Sequence, residues 1–305
     1  MSTTSHERER NFEQSVKRNP HPDFKKVEAS RPDWREKVTE DGGGPPLYTK
    51  TRDPAWKLGQ GGNDNGKSLE EEHVSIDPYE EGRPAVFNYK LMISAIVPRP
   101  IGFLSTVGKD GSSNLAPFSF FQMVNFDPPI FVVGFLASTK EPKDTLANII
   151  ETKECVVNVI SEHFVEAANA CSINSPYGIS EWSLVGLHPA PTKKVTPSRV
   201  KEAVFAAECT LVEVKEWQSK AKPDTASGAM AILEGVHFWV REDAINEEKN
   251  GIDLNVLRPV SRLGGISYGR VTDAFELLRP DFAKESQKRE VQELMKEDQT
   301  TTSIQ

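Results

Sequence analysis

The sequence predicts a mainly β protein: an antiparallel barrel with peripheral helices and a long N-terminal arm. Three observations lead there. Short β-rich runs follow one another through turns of Gly, Asp and Pro. Helical periodicity is confined to a few brief stretches. The connections are of hairpin type, which suits an antiparallel barrel better than a doubly wound sheet.

Residues 1–84 are expected to be an extended or disordered arm. They are rich in charge, Pro and Gly, with Gly42–Gly44 running into Pro45 and Pro46, and carry no hydrophobic periodicity to bury. Trp34 and Trp56 interrupt the arm, and either aromatic is able to dock on a groove of the folded body or of a partner subunit. From Pro84 the pattern changes. Ile101–Val107 (IGFLSTV) is a strand that ends at Gly108-Lys109-Asp110-Gly111, a tight-turn sequence, and Ser112–Phe120 returns beside it. Pro128-Pro129 precede the continuous apolar strand Ile130–Leu136. Thr145–Thr152 reads as a helix, with Leu146, Ile149 and Ile150 on one face.

Cys155–Ile160 is a further strand and Glu162–Ala170 a further helix. Phe205–Trp217 places Phe205, Ala207, Cys209 and Leu211 inward, after which the parity flips to Val212 and Val214; a β-bulge or a sharp bend near Leu211 would accommodate the flip. Met230–Val240 alternates through Met230, Ile232, Val236, Phe238 and Val240. Residues 281–305 form a polar tail, solvated helix or disordered. The domain expected between arm and tail is 85–280.

The chain has 305 residues, 37% of them hydrophobic, with a formal net charge of −8 and a mean hydropathy of −0.49. This is the composition of a soluble protein, and its acidity argues against nonspecific binding to nucleic acid or an anionic membrane. Met1–Pro20 is charged and lacks an apolar signal segment, and no run approaches the roughly 18 apolar residues of a membrane-spanning helix. The expected location is cytoplasmic. Three cysteines without C-x-x-C spacing read as structural thiols in a reducing compartment. His163, His188 and His237 show no metal-ligand spacing, and Ser261 and Ser267 lack a nucleophile elbow.

Three clusters carry chemistry. In Pro98-Arg99-Pro100 a guanidinium sits on a stiffened backbone, pre-positioned to grip an anion, and Ser105 and Thr106 offer hydroxyls further along the strand. In Asn114-Leu115-Ala116-Pro117-Phe118-Ser119-Phe120-Phe121, Pro117 removes a donor, which places the stretch at an edge, bulge or ligand-facing rim. The backbone amides and Ser119 would suit the polar edge of a flat heteroaromatic ring. Lys143-Asp144-Thr145 stands at the mouth of a helix, where free N–H groups and partial positive charge favour phosphate. Asp144 reads there as a helix cap.

In this order and spacing, PRPIGFLST (98–106), NLAPFSFF (114–121), Asp127-Pro128-Pro129, KDTLANI (143–149) and ECVVNVIS (154–161) resemble the flavin reductase-like family with the FMN-binding split barrel. Glu181-Trp182, Gly186-Leu187 and Arg262–Gly265 through Tyr268 look like its later landmarks. The resemblance covers about two-thirds of the chain. It implies a homodimer with FMN near the subunit interface. Arg99, Lys143 and Thr145 then fall at phosphate-ligand positions, with Asp144 beside them. Ser105, Thr106, Ala116, Pro117, Phe118 and Ser119 lie along the strands that hold the ring.

The implied activity is hydride transfer from NADH or NADPH to bound FMN, with electrons passing to a small-molecule acceptor. No protein acid or base is required, because the flavin is the reactive centre. With no G-x-G-x-x-G after a strand, the nicotinamide has no Rossmann domain of its own. Two alternatives stand beside this reading: an FMN-binding electron-transfer or storage protein without NAD(P)H activity, and a barrel that has lost its flavin.

Overall fold

The computed structural model describes residues 21, 23–30 and 46–302, and the expectations for Trp34 and for Gly42–Gly44 lie outside these. The chain divides into two compact units. Among the described residues, 21–30 and 77–271 fall in the first, and 46–76 and 272–302 in the second.

The first unit is built on seven antiparallel strands: β1 (Gly102–Val107), β2 (Ser113–Phe118), β3 (Phe121–Phe126), β4 (Pro129–Phe135), β5 (Glu154–Val159), β6 (Phe205–Gln218) and β7 (Ala226–Val240). Their order in the sheet is β2-β1-β5-β6-β7-β4-β3. The sheet curls until its two ends meet. Phe118 of β2 packs edge-on against Phe135 of β4 with ring centroids 4.8 Å apart, and the backbone N–H of Gly134 donates to Phe120 O at 2.7 Å. Gly102 is needed at this seam, because a Cβ there would stand 2.8 Å from the Phe121 ring.

Helix α1 (Ala85–Ala95) precedes the sheet, and α2 (Asp144–Thr152) lies against the barrel interior. Leu146 and Ile149 of α2 join Leu104, Phe131, Val133, Phe135, Val157, Ala207 and Leu233 in the main core. A second core lies on the other face of β1 and β2, where Phe103 and Leu115 meet Phe164, Trp182, Leu187 and Val200. Alternation along the strands feeds both: Leu104 and Phe118 go to one, Phe103 and Leu115 to the other.

Of the bulge or bend expected in β6, the structure has the bulge. Ile232 pairs with Glu213 and Leu233 with Leu211, so Val212 is the extra residue, and it points outward. In β7 the inward set is corrected: Ala229, Ala231 and Leu233 are buried, while Met230 and Ile232 are only half-buried. The interior is already filled by Phe131, Phe135, Leu146 and Ile149, so β7 supplies mostly small residues. The region 162–170 divides into a short 3₁₀ turn, Glu162–Phe164, and a helix, Val165–Ala170.

The second unit joins arm to tail. Leu47–Thr49 runs parallel to Asp273–Phe275, paired through their backbones. Helices Phe282–Glu285 and Arg289–Thr302 follow, and Leu294 packs onto Gly59 so closely that a Cβ there would lie 2.7 Å away. Trp56 donates its indole N–H to Gly61 O at 2.8 Å. The sequence reading treats arm and tail as separate segments. A three-residue strand has too little alternation to announce a partner so far along the chain.

Candidate functional site

Strand pairing puts Thr106 of β1 opposite Asn114 of β2, Leu104 opposite Ala116, and Gly102 opposite Phe118. Directly opposed residues share a face. This face therefore carries Thr106, Asn114, Ala116 and Phe118, and it meets the first turns of α2. Ala116, Phe118 and the following Ser119 are half-buried.

The helix reaches this face through polar side chains. Asn114 Nδ2 donates to Thr145 Oγ1 at 2.7 Å and approaches Thr106 Oγ1 at 3.5 Å. Asn148 Nδ2 donates to the same Thr106 oxygen at 3.0 Å. Thr106, Thr145 and Asn148 are buried, and Asn114 is half-buried. Lys143, in extended backbone (φ −72°, ψ 159°), occupies the N-cap position, and its side chain has no acceptor to give the first turn. Asp144 is thus the first helical residue rather than the cap expected of it, adding its charge to that turn.

The alternation also separates residues expected together. Ser105 and Pro117 lie on the opposite face with Leu115 and Phe103, and the Ser105 hydroxyl donates to Ser198 O. Ser105 therefore does not share a ring-facing surface with Thr106.

Arg99 departs further from its expected phosphate role. Its guanidinium donates to Ile93 O at 2.6 Å and Ile96 O at 2.7 Å, at the C-terminus of α1, and to Leu263 O at 2.9 Å. Its backbone pairs with Arg262. The side chain is buried, and that burial presses its pKa below the ordinary arginine value. Seven residues of nearly extended chain separate Arg99 from Thr106, on the order of 20 Å. One phosphate cannot be gripped both by Arg99 and by the mouth of α2.

Asn114 and Asn148 are the site residues that motif reading passed over. Asn148 carried a signal: it stands three residues after Thr145, on the same helical face. Glu181 is another. Its buried carboxylate accepts from Leu115 N at 3.1 Å and from Ser175 Oγ at 2.6 Å, holding β2 from behind.

A surface cavity of about 660 Å³ lies elsewhere, lined by Glu162, His163, Arg241, Asp243 and Arg258 among others. Its charges answer one another, Arg258 to Glu162 and Arg241 to Asp243, each at 2.6 Å. It offers neither an apolar wall for a flat ring nor a surplus of cations. Among the described residues no group of three or more His, Cys, Asp and Glu is placed to hold a metal, and no helix is long and apolar enough to cross a membrane.

A barrel of this topology, with a helix mouth opening beside its first hairpin, is a split barrel of the flavin reductase type. Residues 93–255 match the flavin reductase like domain, and the chain belongs to that family. A Halalkalibacterium halodurans protein of uncharacterised role is 38% identical over 65% of this chain and 93% of its own. The crystal structure of nitrilotriacetate monooxygenase component B from Bacillus cereus is 34% identical and superposes with a TM-score of 0.64, over 68% of this chain and all of that one. Pseudomonas fluorescens 2-nitrobenzoate 2-nitroreductase NbaA gives 31% identity and a TM-score of 0.58, over 69% and 98%.

Proposed function

We propose that the chain binds FMN at the face of β1 and β2 beside α2 and acts, as a homodimer, as an oxidoreductase that takes electrons from NADH or NADPH. The observation that carries this is the meeting of the two halves of such a site. An anion-favouring helix mouth with Lys143 and Thr145 opens next to the half-buried run Ala116, Phe118 and Ser119. The residues fit the group. Lys143 and the first-turn N–H groups of α2 suit a phosphate, and Phe118, wedged against Phe135, gives an apolar wall for a ring.

In this arrangement Lys143, Asp144 N–H and Thr145 hold the phosphate. Ala116, Phe118 and Ser119 orient the ring and exclude water from one side of it. Thr106 supports α2 from beneath, and Arg99 and Ser105 serve the fold. Bound FMN supplies the two-electron redox chemistry that links a nicotinamide donor to an acceptor.

Homodimerisation is supported by the apolar surface of the edge strand β3 and of α1. Phe126 is 85% exposed, and Met123, Val124, Phe87, Leu91 and Met92 are exposed as well.

An absorbance spectrum of the purified protein, followed by anaerobic titration with NADH and then NADPH, tests the proposal. The expected result is a yellow protein that bleaches with one or both donors. Yellow without bleaching would favour an electron-transfer or storage protein, and failure to bind added FMN would overturn the assignment.

A further inference from the structure

The hydrogen bonds beneath the mouth of α2 have a direction. A carboxamide NH₂ only donates, so Thr145 Oγ1 accepts from Asn114 and Thr106 Oγ1 accepts from Asn148. Each hydroxyl keeps one proton, and Thr145 must give its own to an acceptor other than the Asn114 nitrogen. Thr145 is 2% exposed and Thr106 1%, so water hardly competes for these contacts. The two carboxamides come from different elements. Asn114 belongs to the β1–β2 hairpin and Asn148 to α2, and they converge on Thr106. Together they fix where the helix mouth stands relative to the strand that carries Ala116 and Phe118. Gly108 leaves room for this, since a Cβ there would come within 3.1 Å of Asn148 Oδ1.

We propose that Asn114 and Asn148 are positioning residues that hold Thr145 and through it the mouth of α2, with its free N–H groups and Lys143, as the phosphate site, so that the protein selects the phosphorylated flavin over its unphosphorylated form. The inference rests on the FMN reading above. Neither residue need touch the flavin ring. Their contribution is the register between the phosphate donors and the ring-bearing strand.

The test is titration of the full-length protein with FMN and with riboflavin, for wild type and for Asn114→Ala, Asn114→Asp, Asn148→Ala and Thr145→Val. Wild type is expected to prefer FMN. Asn114→Ala and Asn148→Ala should each lose about tenfold or more in FMN affinity while riboflavin affinity stays within error. Asn114→Asp, close to isosteric, should lose more FMN affinity still, because it draws the Thr145 proton to itself and places negative charge beside the phosphate. Asn114→Ala combined with Thr145→Val should be little worse than Thr145→Val alone, since the two act through one contact. Riboflavin binding in the same samples reports an intact ring site. An equal loss for both ligands, or an unchanged preference for FMN in the asparagine variants, overturns the inference and leaves the FMN reading standing. A wild type that does not prefer FMN removes the FMN reading and this inference together.

Discussion

Arg99 spends its terminal nitrogens on three carbonyls, two of them at the end of α1. Replacing it with methionine leaves those acceptors buried without donors, at a cost of about 3 kcal/mol or more. Thermal unfolding of Arg99→Met should show that loss, and folded variant protein should keep the wild-type preference for FMN over riboflavin. A lost preference would return Arg99 to the phosphate.

Glu208 is fully buried in β6 and accepts from Lys193 N, Lys194 N and Val195 N at 2.5–3.1 Å and from the Trp239 indole at 2.6 Å. Burial pushes its carboxyl up, but the four donors outweigh it and hold the pKa below the ordinary 4.5. Its folded pKa is thus depressed, so its stabilisation is complete above 4.5 and is lost as pH falls through the lower folded value. Glu208→Gln should cost roughly 3 kcal/mol at neutral pH, and the gap from wild type should close on acidification below pH 4.5, as followed by melting temperature. A gap constant with pH would mean that the charge contributes nothing.

The thiols should be silent. Cys155 and Cys209 face each other across β5 and β6, and their mutual hydrogen bond, then burial, raise the pKa of Cys155. Burial pushes Cys171 up to about 12. Alkylation at neutral pH should label none of the three until the protein is unfolded. At this scale the sequence shows residue types but not which way they point. Arg99 between two prolines looks like an anion grip until its carbonyl partners are visible, and those lie in α1 and 164 residues further along the chain.

Elements with a clear period were legible. The Gly108–Gly111 turn, the apolar β4 and the amphipathic α2 stand where the residues place them, and the parity change in β6 betrayed its bulge. Where both faces of an element are apolar, the period loses its meaning. In β7 large residues alternate on one parity, yet the alanines go inside because neighbouring aromatics occupy the space. Helix α1 is apolar nearly all round, with Phe87 and Leu91 exposed and Ile93 buried, so it shows no stripe to read. The candidate site was legible in its motifs and illegible in its faces, because Ser105 and Thr106 are adjacent in sequence and opposite in space. The edge strand β3 supplies a test at this scale. Val124→Lys with Phe126→Lys should halve the mass found by light scattering if copies associate through this strand, with the circular dichroism unchanged. A wild-type mass kept by the double variant would place the interface elsewhere.

At the scale of the whole molecule, the family domain, residues 93–255, lies within the first unit. The second unit should be dispensable for the barrel. A protein trimmed to residues 77–271 is expected to keep the first unit's secondary structure and its flavin binding, whereas removing residues 1–76 alone should leave residues 272–280 open to protease. Loss of flavin binding in the trimmed protein would show that the flanking unit belongs to the site. The pairing of Leu47–Thr49 with Asp273–Phe275 also sets an order of events during synthesis. A strand made early has to wait on the ribosome until residue 273 emerges, roughly 10–45 s at ~5–20 residues per second. Every strand of the barrel is translated in that interval, so the nascent chain can complete its barrel before Leu47–Thr49 meets its partner strand.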